Sequence, residues 1–591
     1  MSHLVTQIAP HADSSDFIAG DIVILVVAIV GVMFIGIVAA IQAGETRFAK
    51  LLPCIKPPAR AADDDYVEVE PTPKSVNAAE SQKTYEEHER QKEAAAVKSF
   101  FLADRGMKWY FVGGALFASN IGAQHFVGMS GDGARRGIAV SVNEWYAAIL
   151  LLLLGWLFSP VYRRAGVYTT PEFLEYRFNA AATIYGGAVV LQSTLGWNLY
   201  LGGGACILLS ALYSIAGGLR AVMYTDFFQM CVFLIGGIVV MFVSLHKVGG
   251  FQGIHDNLEA QGRLDFWELW KGTDDPDYPW TGMLIGQPIG SVWYWCMDQD
   301  LVQRVLSAKD TSHAKAGTVF AGFLKMLPPF LIVIPGVIAS IFYDMKVPKR
   351  GTDAAYPVLL TNLMPHGVIG LMVASIVMAM MSSLGSVFAA GSSVVTNDIY
   401  LKFRPNATTA QLVWVGRLSI VAYAVLSFCW IPVLSSGEGM YKKIIEIQSY
   451  LTPPIGIVLI LGVGWKRING QGAFAALILG GIVGVVRLVF VIAEGDSMKG
   501  TMNSFAESFF YMNFYHFSIV LWVFSMIVCI VVSLLTPPPT EDAKRYTIDW
   551  PSVFKLDATE RANPMWVNTL VLVMAVLSIA VMLVLWIVFP W

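Results

Sequence analysis

Hydrophobic residues in this chain gather into runs separated by short polar joints, and most runs reach the roughly 20 residues that a bilayer-spanning helix needs. The pattern predicts spans at 20–43, 106–131, 138–162, 181–196, 197–217, 222–246, 281–303, 315–343, 366–396, 413–434, 442–464, 471–493, 513–536 and 565–589. That is about fourteen transmembrane helices, and the run at 181–196 is abnormally short. Two runs are interrupted by polar and glycine-rich sequence at a depth where a membrane helix is ordinarily uniform. They are Gly113–Gly133, GGALFASNIGAQHFVGMSGDG, and Gly282–Arg304, GMLIGQPIGSVWYWCMDQDLVQR. A broken membrane helix frees backbone amides and carbonyls, which must be buried in protein or line a wet cavity. Paired breaks of this kind are the sequence signature of a midplane solute and ion site.

Composition agrees with an all-α polytopic membrane protein. Of 591 residues, 55% are hydrophobic and 14% charged, against roughly a quarter charged in soluble domains. The net charge of −3 gives no sign of a nucleic-acid partner, so the expected surroundings are a lipid bilayer. Six scattered cysteines show neither metal spacing nor a disulfide framework and read as small buried hydrophobes. Two segments read as soluble and cytoplasmic: 45–99, by composition a charged, mobile linker, and 537–562, which follows three prolines. Residues 247–280 form an acidic loop containing Trp267, Trp270 and Trp280. Basic residues in short joints (Arg163, Arg164, Arg177, Arg220, Arg304, Lys309, Lys402, Arg404, Lys466, Arg467) place those joints in the cytoplasm and both termini outside.

Candidate chemistry clusters at the two breaks. Asn120, in Ala118-Ser119-Asn120-Ile121-Gly122, suits either a polar contact between helices or a break whose carbonyls at Ala118 and Ile121 face a cation. Ala379-Met380-Met381-Ser382-Ser383 offers two adjacent hydroxyls as hard ligands for sodium, although serines also bond back to their own helix. Glu144, Asp226, Asp298 and Lys325 are ionisable residues in or beside apolar runs, where a partner is expected. Glu144 and Lys325 suit each other; Asp226 and Asp298 suit either a site or an interfacial ion pair with Arg220 or Arg304. Trp293, Tyr294 and Trp295 adjoin the second break and can stack on the C–H face of a polyol, or belong to an aromatic belt. His125 lies near Asn120 as a hydroxyl partner. No nucleophile–base pair, phosphate loop or metal-ligand cluster is present, so nothing in the sequence argues for an enzyme.

The segments FFLADRGMKWYFVGGALFASNIGAQHFVGMSGDGARRGIA, NEWYAAILLLLLGWLFSPVYRRAGVYTTPEFLEYRF, LYSIAGGLRAVMYTDFFQM, SVWYWCMDQDLVQRVLSAKDTSHAKAG, GFLKMLPPF and MSSLGSVFAAGSSVVTNDIY resemble the sodium/solute symporter family, in its sodium–glucose cotransporter branch. The resemblance runs from about residue 20 to 590. It implies two inverted five-helix repeats, at 100–246 and 281–464, each with a broken first helix. A helix within 1–44 precedes them and further helices within 465–591 follow. It also implies a sodium-coupled symporter of a sugar, glucose- or galactose-like, working by alternating access without a cofactor beyond the coupling ion. The expected partners are sodium and a small neutral sugar or polyol. By match to the family's motifs, Ala118, Ile121, Ala379, Ser382 and Ser383 hold sodium, and Asp226 is linked to a second cation role. Asn120, His125, Glu144, Ser291, Tyr294, Trp295 and Lys325 line the solute site, with Tyr294 at the inner gate. Two departures stand out. Lys442 and Ile445 occupy the positions of a family aspartate and of a sugar-binding glutamine, which leaves Gln448, almost one turn later, as the nearest amide. Between Phe178 and Leu195 the family carries about a helix more of sequence; some fifteen residues reach only ~23 Å, short of a ~30 Å hydrocarbon core.

Overall fold

A computed structural model describes residues 19–42, 100–122, 124–177, 200–343, 352–365, 367–434, 440–493, 504–553, 555, 560–561 and 565–588. The short span predicted at 181–196, the linker 45–99 and the first eighteen residues lie outside them. The described chain is helical; among the described residues, extended pairing is confined to two isolated bridges, Met107 with Ala308 and Lys271 with Pro279. Eight described helices are long and apolar enough to cross a membrane, or nine if a bent pair counts as one. The count of fourteen is not settled by these: the run at 181–196 and parts of those at 20–43 and 197–217 lie outside the described residues, and the two interrupted runs, 106–131 and 281–303, do not form single long helices.

The principal helices are α1 (Ala19–Gln42), α2 (Trp109–Asn120), α3 (Ser130–Arg136), α4 (Ser141–Leu153), α5 (Tyr200–Val248), α6 (Trp280–Met297), α7 (Gln299–Leu306) and α8 (Thr311–Leu324). They are followed by α9 (Val368–Val394), α10 (Thr409–Leu434), α11 (Met440–Leu451), α12 (Pro453–Gly464), α13 (Gly470–Ala493), α14 (Phe514–Leu535) and α15 (Met565–Val588). The long α5 is two helices meeting at Gly218, whose φ of +54° and close approach to the Phe100 carbonyl leave no room for a side chain. This turn divides the runs predicted at 197–217 and 222–246. A second bend, of 53°, separates α11 from α12 at Thr452-Pro453-Pro454, where proline cannot continue the helical ladder.

Small residues set the core geometry. A β-carbon on Gly113 would lie 2.6 Å from the Gly317 carbonyl, so α2 and α8 cross almost backbone to backbone. That crossing brings Asn120, at the end of α2, near Lys325, which closes α8 just before Pro328-Pro329. Helix α5 packs against α1, α2, α9 and α10, while α4 packs on α6 and α8. The last helices leave large apolar side chains exposed, among them Leu572, Val573, Val576 and Ile587, the surface expected of lipid-facing helices.

Candidate functional site: a buried polar network between two broken helices

The first break is where the sequence places it. Helix α2 stops at Asn120, Ile121 is extended (φ −79°, ψ 101°), and helical structure resumes at Gln124–Met129. The amide of Gly122, which would continue the helix onto the Ala118 carbonyl, donates instead to Nδ1 of His125 at 3.3 Å. An amide can only donate, so Nδ1 accepts, and the ring proton of neutral His125 sits on Nε2. That nitrogen lies 3.2 Å from Oε1 of Glu144, to which it donates. The other carboxylate oxygen of Glu144 accepts from the Lys325 ammonium at 2.6 Å. Lys325 also donates to Oδ1 of Asn120, whose amide nitrogen donates to the Tyr294 hydroxyl at 2.6 Å. Asn120, His125, Glu144 and Lys325 are all buried, and the ammonium lies 5.4 Å from the Trp295 ring centroid and 5.8 Å from that of Phe117. Six of the proposed solute residues therefore meet in one network. Ser291 stands apart on α6, accepting from the Gln287 amide at 3.1 Å. Gln448 is half-buried on α11 and offers its backbone carbonyl to Thr452.

The second break falls within the predicted stretch 282–304, just past the aromatics. Trp293, Tyr294 and Trp295 sit inside intact α6, which ends at Met297; the discontinuity is at Asp298. Asp298 is the N-cap of α7, its carboxylate accepting from the Asp300 amide at 2.9 Å. Its role is capping, not an interfacial ion pair with Arg304. Arg304 pairs instead with Asp226 at 3.0 Å, with both side chains wholly buried, and with Asp300. Arg220 goes to Asp104 at 3.4 Å. The interfacial alternative for Asp226 is thus replaced by a pair in the interior. Arg304 and Arg177, counted as loop charges in the orientation argument, are buried residues.

Around the predicted cation ligands, the Ser383 hydroxyl lies 3.0 Å from the Ser119 carbonyl across helices and 3.2 Å from that of Ala379 within its own. Ser382 donates to Asp226 at 2.6 Å, and Ser386 donates back to the Ser382 carbonyl at 2.7 Å. Helix α9 is thereby tied to the open end of α2 on one side and to the Asp226–Arg304 pair on the other.

A third cluster was not anticipated. Asp277, in the loop before α6, receives Arg135 at 2.7 Å, Arg136 at 2.6 Å and Lys442 at 2.5 Å. Burial alone would raise its pKa, but the Lys442 hydrogen bond and the charges of Arg135, Lys442 and Arg136 hold the carboxyl at about 2. The Lys442 departure thus has a partner of opposite sign. The four residues come from three distant stretches of chain, so no spacing motif announces them. The loop 247–280 is also seated at Trp270, whose indole donates to the Trp586 carbonyl at 3.3 Å.

Together these features define a helical membrane protein whose two interrupted helices enclose a buried, charge-balanced polar site. Residues 100–480 match the sodium:solute symporter family. The chain is 37% identical over 517 residues to the mouse sodium/myo-inositol cotransporter, covering 77% of this chain and 72% of that protein. It is 36% identical over 508 residues to the rabbit sodium/glucose cotransporter 1, covering 77% of each. A solved Na+-coupled sialic acid symporter, in a substrate-bound outward-open state, is similar in fold, with a TM-score of 0.66 at 17% identity over 88% of this chain and 99% of that one. This chain belongs to the sodium:solute symporter family.

Proposed function

We propose that the protein is a sodium-driven symporter of a small neutral sugar or cyclic polyol. The observation that carries this reading is the joining of two groups through one helix break: Ser383 reaches the Ser119 carbonyl, while the adjacent Asn120 reaches Lys325 and Tyr294. Sodium held by Ala118, Ile121, Ala379, Ser382 and Ser383 would fasten α2 to α9 and so set the position of Asn120. The solute network contains one carboxylate, one ammonium and a neutral imidazole. It is balanced before solute enters, which favours an uncharged ligand rich in hydroxyls over an ion. Trp295 and Tyr294 supply ring surface beside these polar groups.

Ile445, buried on α11, removes an amide that a glucose-like solute would use, and the likeness to both inositol and glucose cotransporters leaves room for either ring. Alternating access follows if sodium and solute bind one of two states more tightly, since a ligand shifts an equilibrium only by its differential affinity. An inward membrane potential adds about 2.3 kcal/mol per charge per 100 mV. Both termini lie outside in this reading, and the membrane is the plasma membrane.

The test is uptake of labelled myo-inositol and of labelled glucose into proteoliposomes, with an inward sodium gradient against choline. Accumulation of one or both that collapses with the gradient is expected. Equal uptake in sodium and choline would overturn the reading.

A further inference from the structure

On α6, Gln287 and Ser291 hold hydrogen-bonding capacity that the protein leaves unused. The Gln287 side-chain nitrogen donates to the Ser291 hydroxyl at 3.1 Å. The Gln287 carbonyl oxygen takes no donor among the described residues, although the residue is only 8% exposed. The Ser291 proton is also uncommitted among them: Ser383 and Ser449 bond back to the carbonyl four residues earlier, and Ser291 does not. The pair thus presents one free acceptor beside one free donor. Polar groups this deep are ordinarily paired, so the two call for an occupant.

Their position says which. Residues 287, 291, 294 and 295 share one face of α6. One end of that face enters the solute network: Tyr294 accepts from Asn120 at 2.6 Å, and the Trp295 ring centroid lies 5.4 Å from the Lys325 ammonium. Gln287 lies two turns nearer the start of α6, and its amide reaches back to Ser291, one turn from the network. Pro288 denies the Leu284 carbonyl its helical amide, and the Tyr146 hydroxyl takes that carbonyl at 3.0 Å, which fixes α6 at this level. The facing wall carries Tyr441, Ile445, Gln448 and Thr452 at helical spacing. The Thr452 hydroxyl lies 3.4 Å from the Gly290 carbonyl, and the Tyr441 ring 6.0 Å from that of His125, so this stripe borders the same space. An amide is missing from that wall at Ile445; Gln287 offers one from the other side.

We propose that Gln287 and Ser291 read two adjacent ring hydroxyls of the solute, one donating to the Gln287 oxygen and its neighbour accepting from Ser291. Gln287 thereby sets selectivity in place of the amide absent at Ile445, and the ligand class is an uncharged cyclic polyol with a vicinal diol. A site built to hydrogen-bond a hydroxyl rejects an analogue lacking it far more strongly than an apolar wall does. This inference rests on the proposed sodium-driven polyol transport.

The test is competition for sodium-driven uptake into proteoliposomes, with labelled myo-inositol or glucose, whichever the wild type accumulates, against its monodeoxy analogues. In the wild type, analogues lacking either of two adjacent hydroxyls are expected to compete at least fivefold more weakly than the parent solute. Gln287→Met keeps the length and removes both polar atoms. It should raise KM at least fivefold and bring the penalty at one of those hydroxyls to within twofold, leaving half-saturating sodium within twofold. Ser291→Ala should erase the penalty at the neighbouring hydroxyl instead. If Gln287 only holds water, the deoxy pattern of Gln287→Met matches the wild type, and the proposal is overturned. If both variants erase the same hydroxyl, Gln287 acts only by propping Ser291, and the proposal is again overturned. Should Gln287→Met fail to fold, judged by thermal unfolding in detergent, Gln287→Asn, which draws the oxygen back by one methylene, decides, and an unchanged deoxy pattern overturns the proposal. A wild type that accumulates neither solute with sodium overturns the transport reading itself. Accumulation with an unchanged pattern in the Gln287 variants overturns only the role of Gln287.

Discussion

The two helix breaks look alike in sequence and differ in what they leave open. At the first, between Asn120 and Gln124, the freed Gly122 amide goes to a side chain, the Ser119 carbonyl takes the Ser383 hydroxyl, and Asn120 joins a network reaching α4, α6 and α8. At the second, Asp298 closes the gap locally by capping α7. The first break spreads its polar groups over a network on three other helices; the second caps α7 locally with Asp298 and ties its flanks, through the Cys296 carbonyl and the Gln299 side chain, to Tyr162, Thr170 and Tyr168. Interruption of an apolar run therefore marks a place where a ligand can be held only when the freed groups find partners on elements that can move apart.

The largest effects should come from the first break. Lys325→Ala leaves Glu144 buried without its cation, which costs about 3–5 kcal/mol and should abolish uptake. Thermal unfolding in detergent and the myo-inositol assay check both, and normal uptake in this variant would remove Lys325 from the site. Next comes the Asp277 cluster. Asp277→Asn leaves Arg135, Arg136 and Lys442 facing one another. Because the wild-type carboxyl is held at about 2, below its ordinary range, its stabilisation is present above pH ~4 and lost as pH falls from there through about 2. The wild type should lose more melting temperature across that interval than Asp277→Asn does. The smallest effect belongs to the sealed break: Asp298→Ala removes an N-cap worth ~1 kcal/mol. It should lower the melting temperature while leaving half-saturating sodium unchanged. A large sodium shift here would erase the distinction between the breaks.

Much of this was legible in sequence, for physical reasons that can be named. Runs of apolar residues follow from lipid contact, and a Lys or Glu inside such a run demands a partner, so the Glu144–Lys325 pair could be anticipated. The first break was readable because Asn120 and the glycines around it cannot be explained by lipid. The second falls inside the predicted stretch 282–304, but the exact point, Asp298, a capping residue just past the aromatics, carries a local and weak signal. The choice of Arg304 over Arg220 for Asp226, and the gathering of three cations on Asp277, depend on how distant helices pack. A one-dimensional pattern holds no record of that.

The central claim is that the first break couples sodium to solute through the tie between Ser383 and Ser119. The most direct measurement is labelled myo-inositol and glucose uptake into proteoliposomes against sodium concentration, for the wild type and Ser383→Ala. The account predicts a steep sodium dependence in the wild type for at least one solute. In the variant the sodium-driven component should be lost, with only the sodium-independent background remaining. Uptake in Ser383→Ala that rises with sodium as in the wild type would contradict it.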